Sequence, residues 1–482
     1  MTLAGELRTL LGEATAAASD ERRAPLDQLA RKLDRPLRVA LAGRMKAGKS
    51  TLLNALIGER LAPTDASECT RIVTWYEHAS EYRVSAELRD GEHRDLPFRR
   101  AADGQLEIDL GGIDEAEVAR LVVGWPSARL REMTLIDTPG LDSLSTHAGR
   151  TTDALAARGG GEREADAVVY LMRHAHRSDI AFLEAFHGPG AGQGTPVNSI
   201  AVLSRADEIG AGRLDALDSA RWIARRYETD PRVRGLASTV VSVAGLLAET
   251  AATLEEREAE CLRLLARESL STVESLVLSA DHFRAPGLGP LTIELREELL
   301  ARFGMFGVRF AIDAYHNGQW ASAADLARML SARSGLPTLR DAIQGRFAAR
   351  SRQLVSRSVL IELGRLAESG AFGPAIVRRL EELQSGAHEF AELAMLDLAL
   401  SGDAGFSDDE RTEAERVTAA SSLAVRAGCE PEATSSAIQA AAIAGVARWR
   451  ERAANPLATR STVWCAETMA RCFEGLYGAA AT

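Results

Sequence analysis

Apolar positions in the first part of the chain recur at helical spacing. Leu3, Leu7, Leu10 and Leu11 share a face, and Leu26, Leu29 and Leu33 continue it. The spacing predicts an amphipathic helix or helices over residues 1–34, closed by Pro36. From Leu37 the period changes. Between residues 37 and 245 short apolar runs alternate with helical patterns, as in a parallel α/β domain. The predicted strands are Val39–Ala42, Ile72–Tyr76, Tyr82–Leu88, Met133–Asp137, Ala167–Met172, Ser199–Ser204 and Thr239–Val243, with Asp90-Gly91 as a hairpin turn. After Ala244 helical patterns run to the end, broken near Ala285–Pro290, Gly335–Pro337 and Gly370–Pro374. Residues 335–350, with Ile343, Phe347 and Arg350, read as the last helix of the α/β domain. That makes 35–350 one domain with a helical insertion at about 246–333, and 351–482 a helical domain. Ser401–Asp409 reads as an exposed polar link, and Ala437–Val446, which contains Gln439, as a packed helix.

Composition narrows the class. A chain of 482 residues exceeds one ordinary core, and 46% hydrophobic with 26% charged residues fits a soluble globular protein. A net charge of −11 does not favour nucleic acid as a partner. The five cysteines are scattered, with no CxxC pair, which suits a reducing cytoplasm. No signal-peptide pattern and no run of about 18 apolar residues is present, so any membrane action is expected to be peripheral.

The chemistry concentrates after the first strand. Gly43-x-x-x-x-Gly48-Lys49-Ser50 joins that strand to a helix carrying Leu52, Leu53, Leu56 and Ile57 on one face. The glycines let backbone N–H groups turn toward phosphate oxygens, and the helix N-terminus adds partial positive charge. Lys49 then serves the β- and γ-phosphates, and the Ser50 hydroxyl ligates Mg²⁺. Four further stretches follow in order. Thr70 precedes the second strand, placed either to ligate Mg²⁺ and sense the γ-phosphate or simply to enter the strand. Asp137-Thr138-Pro139-Gly140 ends a buried strand; Asp137 suits a Mg²⁺-bound water, and the Gly140 amide suits the γ-phosphate. Ser204-Arg205-Ala206-Asp207 stands where GTPases carry their base-reading motif, with Arg205 in place of the usual lysine. Asp207 either accepts from guanine N1–H and the 2-amino group or caps its strand. Ser242-Val243-Ala244 closes the last strand, where its amides would contact the guanine carbonyl.

Together these stretches resemble the dynamin superfamily of large GTPases. The resemblance rests on Met45–Leu56, on Cys69-Thr70-Arg71-Ile72-Val73-Thr74 and on Asp137-Thr138-Pro139-Gly140-Leu141. It is strongest to the bacterial dynamin-like proteins of the isoniazid-inducible group, through Gly43–Lys49 and through Leu61-Ala62-Pro63-Thr64 leading into Glu68–Arg71. It implies an α/β P-loop GTPase domain, a mostly parallel sheet flanked by helices, on an α-helical stalk joined by residues 1–34. The expected ligands are GTP or GDP with Mg²⁺. Nucleotide contacts fall to Gly43, Lys46, Ala47, Gly48, Lys49, Ser50, Thr51, Gly140, Ser204, Arg205, Asp207, Ser242, Val243 and Ala244, and metal ligation to Ser50, Thr70 and Asp137. Catalysis falls to Lys46, Lys49 and Thr70. The resemblance also implies head-to-head self-association, peripheral binding to an anionic membrane at the inner face of the cell membrane, and membrane fission or fusion. A second dynamin-like protein is a possible partner. Two departures stand out. Met45 occupies the place of a catalytic glutamine, and Leu141 that of the water-orienting glutamine of small GTPases. Lys46 sits where some large GTPases carry an arginine finger, so it either neutralises transition-state charge or is solvated. A soluble GTPase switch with a protein partner, and a nucleotide-binding scaffold without turnover, are the alternative readings.

Other features weigh less. His174-x-His176 has no evident third ligand, so loop structure is expected. Asp179 either reaches a dimer face or caps a helix. Phe303–Phe310 suits membrane insertion or packing at a helix end. The clusters Arg346, Arg350, Arg352, Arg357 and Arg448, Arg450, Arg452 suit anionic lipid or a solvated face.

Overall fold

A computed structural model describes residues 3–62, 72–101, 105–139, 164–187, 196–386, 388–419 and 422–481. The strands are β1 (Leu37–Gly43), β2 (Thr74–His78), β3 (Arg83–Leu88), β4 (His93–Asp95), β5 (Phe98–Arg100), β6 (Leu106–Ile108), β7 (Val118–Trp125), β8 (Met133–Asp137), β9 (Ala167–Met172), β10 (Ser199–Ser204) and β11 (Val240–Val243). Among the described residues nine of them form one sheet in the order β11-β10-β9-β1-β8-β2-β7-β3-β4, and β5 pairs with β6 apart from it. From β11 to β8 all pairings are parallel; β2 runs antiparallel to β8. The C-terminal ends of β1, β8, β9, β10 and β11 therefore line one edge, where ligands bind in open α/β sheets.

Alternation within each strand feeds two cores. Leu37, Val39 and Leu41 of β1 join Ala167, Val169 and Leu171 of β9 on one face, under the Lys49–Ile57 and Leu336–Arg346 helices. Ala40, Ala42, Val168, Tyr170 and Met172 face the other side. There they meet the Arg177–His187 and Ala216–Thr229 helices and the helical insertion, whose longest member is Ile293–His316.

Residues 1–34 contribute two helices, Leu3–Ala17 and Asp20–Lys32. Leu7, Leu10, Leu11, Leu26 and Leu29 pack on Val359, Leu360, Leu363, Leu380 and Leu383 of the Ser351–Glu368 and Pro374–Gly386 helices. A buried ion pair joins Lys32 to Glu362 across this arm. Within 351–482 the chain separates into two groups. The helices from His388–Ser401 to Arg460–Ala480 share the first sheet face's core rather than extending the arm. Asp397 fixes them there: it accepts from Val197 N–H at 3.1 Å and from Arg357 at 3.0 Å.

Several expectations need correction. The strand β7 went unpredicted although Val118, Leu121 and Val123 are buried; its Arg120 and Gly124 interrupt the apolar pattern. The strands β4, β5 and β6 have three residues each, too short to show a period. Phe303, Phe306 and Phe310 are core residues, so membrane insertion by this stretch is excluded. The link after Ser401 is not wholly exposed: Ala404 and Phe406 are buried, and Phe406 packs on Trp449 at 4.9 Å. The basic clusters are largely spent internally. Arg346 and Arg350 bond to Glu415, and Arg448, Arg450 and Arg452 pair with Glu413, Glu474 and Glu410. Among the described residues no helix is long and apolar enough to cross a membrane.

Candidate functional site

The loop between β1 and the Lys49–Ile57 helix lies at the ligand-binding edge. Gly43 pairs with Leu171, and a Cβ on Gly43 would lie 2.4 Å from the Leu171 carbonyl oxygen, so no larger residue fits. Lys49 is buried, and its Nζ donates to the Gly43 and Arg44 carbonyls at 3.3 Å each. This folds the ammonium back over the loop, where phosphate oxygens would meet it together with the helix N-terminus. Met45 and Lys46 are exposed at the loop's crest, and Lys46 has a φ of 60°, a left-handed conformation rare for a residue with a side chain.

Parallel pairing with β1 brings the end of β8 beside this loop, with Leu41 opposite Asp137. The Ser50 hydroxyl donates to Asp137 Oδ2 at 2.8 Å, and Thr138 Oγ1 donates to the Leu41 carbonyl at 2.8 Å. Burial raises the Asp137 pKa above the usual carboxylate value, against the opposing pull of Lys49, Ser50 and the Thr138 N–H. Its Oδ1 is buried with no hydrogen-bond partner among the described residues. A hydroxyl and a carboxylate side by side, one carboxylate oxygen unsatisfied, fit a hard cation such as Mg²⁺.

A cleft of about 120 Å³ continues from the loop. Ala47, Gly48, Thr51, Ser204, Arg205, Asp207 and Val243 line it, joined by Leu171, Glu208, Gly245 and Leu246. Asp207 begins the turn after β10, and burial raises its pKa to about 6. Arg205 donates to Glu208 at 2.5 Å, and Arg173 binds the same carboxylate. Val243 reaches the cleft, but the Ala244 N–H donates to the Ser334 carbonyl at 2.8 Å. The Ala244 amide is thus engaged by Ser334, at the end of the Ala323–Arg333 helix. Ser242 is not among the lining residues.

Thr70, Gly140 and Leu141 lie outside the described residues. Asp179 is fully buried, accepting from Tyr170 O–H at 2.7 Å and His176 N–H at 2.9 Å. It braces a helix start and is no surface contact. The His174 and His176 rings meet edge-on at 6.0 Å, and the described residues give them no third ligand group.

One important residue was not anticipated. Asn54 is buried, donating to the Ala62 carbonyl at 3.0 Å and to Glu249 at 3.1 Å. It accepts from the Leu61 and Ala62 amides at 2.9 and 2.7 Å. It thus ties the helix after the phosphate loop both to the chain entering 63–71 and to the insertion's Gly245–Ala252 helix. An amide on the apolar side of an otherwise buried helix was the available signal.

Comparison with known proteins agrees with this geometry. A family profile described as the Dynamin family matches residues 39–185. The isoniazid-induced protein IniC of Mycobacterium tuberculosis is 40% identical over 456 residues, 92% of this chain and 92% of that protein. Dynamin-like protein 2 of Campylobacter jejuni is 27% identical over 217 residues, 42% of this chain and 31% of that protein. A solved structure from an oligomerised bacterial dynamin pair covers 100% of this chain and 75% of that one at 14% identity, with a TM-score of 0.32, too low to carry an argument.

Proposed function

The chain belongs to the bacterial dynamin-like proteins of the dynamin family and is a GTP hydrolase, and from that premise we propose that it couples GTP hydrolysis in head-to-head assemblies to remodelling of a membrane it binds peripherally. The observation that carries the nucleotide part is the line of groups along one sheet edge: Lys49 in the loop, Ser50 against Asp137, and Asp207 in the cleft that continues from Ala47 and Gly48 of that loop.

Lys49 and the loop amides hold the β- and γ-phosphates, and Asp207 accepts from guanine N1–H and the 2-amino group. Mg²⁺, held by Ser50, Asp137 and Thr70, neutralises charge on the phosphate oxygens when bound. Lys46, exposed and left-handed at the loop crest, adds positive charge to the transferring phosphoryl group once a partner head folds it inward. With Met45 and Leu141 in the places of the glutamines, attacking water is oriented by backbone groups or by the partner head. Association is therefore part of catalysis. GTP turnover per molecule is expected to rise with protein concentration in steady-state assays; a rate per molecule independent of concentration contradicts head-to-head activation.

One observation favours a second reading. Most arginines of the two basic clusters already pair with carboxylates: Arg346, Arg448, Arg450 and Arg452 with Glu415, Glu413, Glu474 and Glu410, and Arg357 with Asp397. A soluble GTPase switch whose helices bind a protein partner needs no such free charge.

A further inference from the structure

The turn carrying Asp207 is held from outside by the helical insertion. Residues 205–212 follow an uncommon path: Arg205, Gly210, Ala211 and Gly212 all have positive φ, at 52°, 60°, 59° and 71°. Arg205 and Ala211 carry side chains, so this path persists only where surrounding contacts over-determine it. Arg309, on the Ile293–His316 helix, supplies such contacts. Its Nη1 donates to the Ala211 and Gly212 carbonyls at 2.8 and 2.7 Å. Its Nε and Nη2 donate to the Val277 and Leu278 carbonyls at 2.8 and 2.9 Å. One guanidinium thus bonds four main-chain carbonyls from two segments, an arrangement that needs its planar fork.

The same helix reaches the carboxylate itself. It kinks at Gly304, whose φ of 61° and ψ of 177° only glycine adopts readily. A Cβ built on Gly304 would stand 3.5 Å from Asp207 Oδ2 and 3.6 Å from Leu246 Cδ2. Both neighbours line the base end of the cleft. The kink is therefore the wall behind the base-reading carboxylate.

We propose that the Ile293–His316 helix is part of the guanine-selecting apparatus: Arg309 is a positioning residue that fixes the Asp207 turn, and the Gly304 kink sets where the carboxylate stands. This rests on the reading of Asp207 as the guanine acceptor. The helical insertion thereby becomes a specificity element, and displacement of this helix loosens the base while leaving the phosphate loop in place.

The test uses the full chain and compares affinity for GTP with that for ITP, which lacks the 2-amino group. The wild type should prefer GTP. In Arg309→Ala the preference should shrink about tenfold or more, because GTP loses two hydrogen bonds to the carboxylate and ITP only the one from N1–H. Arg309→Lys should fall between, because an ammonium cannot bond all four carbonyls. Gly304→Ala, which leaves Arg309 in place, should shrink the preference too. An unchanged GTP-to-ITP ratio in both Arg309→Ala and Gly304→Ala, or equal losses for both nucleotides, overturns the proposal. Asp207→Asn separates this from failure of the underlying reading: it should abolish the GTP preference. A preference that survives in Asp207→Asn means Asp207 does not read the base. A preference lost there but intact in the helix variants means only the helix's part is wrong.

Discussion

The Asp207 carboxyl titrates near neutrality because burial raises its pKa to about 6. Above that value the ionised group accepts both guanine donors. Below it the group is protonated and presents a donor where an acceptor is needed, so recognition is lost as pH falls. GTP affinity measured by titration calorimetry should drop about tenfold from pH 7 to pH 5; constant affinity across that range contradicts the assignment. Lys46 calls for a kinetic measurement. Lys46→Ala should slow single-turnover GTP hydrolysis about 10³-fold with nucleotide binding retained, and unchanged turnover makes it a solvated lysine. Lys49, Ser50, Asp137 and Asp207 stand out in the sequence because each has a fixed place relative to a strand end, and the fold sets them along one edge of the sheet. Asn54 does not. Its importance lies in bonding Glu249, 195 residues away in the chain, and no local pattern encodes that meeting. The bond from the Ala244 N–H to the Ser334 carbonyl is hidden for the same reason.

Among elements, the buried parallel strands were predicted to within a few residues because their runs are continuous and apolar. The strand β7 was hidden by Arg120, whose guanidinium stacks on Trp75 at 4.0 Å and pairs with Glu87, so a charged residue sits within the sheet at little penalty. The N-terminal helices show a different dependence. Their leucines bury only against 351–386, and the Lys32–Glu362 pair locks the register of that contact. Lys32→Met leaves Glu362 buried without its ammonium partner. It should lower stability by about 3–5 kcal/mol in denaturant unfolding, and Lys32→Met with Glu362→Leu should recover most of the loss. A single variant as stable as the wild type makes the pair incidental. The kink at Gly304 had no sequence signal beyond a glycine inside a helical pattern.

At the scale of the whole molecule, the sheet carries a different helical load on each face. The insertion covers one face and holds the turn that follows Asp207; the helices after His388 cover the other and share its core. Among the described residues, 3–32 and 351–386 form an arm with a core of its own. The shift from alternating to purely helical patterns after β11 was visible in the sequence. The return of the C-terminal helices to the sheet was not, because Arg346, Arg350 and Asp397 look like surface charges until their partners are in view. Internal pairing of the basic clusters makes membrane binding the part of the proposal most in need of a direct measurement. That measurement is flotation of the full chain with anionic liposomes under GTP, GDP and no nucleotide, beside Lys49→Ala. The wild type should float with a nucleotide dependence that Lys49→Ala lacks; failure to float in every nucleotide state contradicts membrane remodelling and leaves the soluble switch.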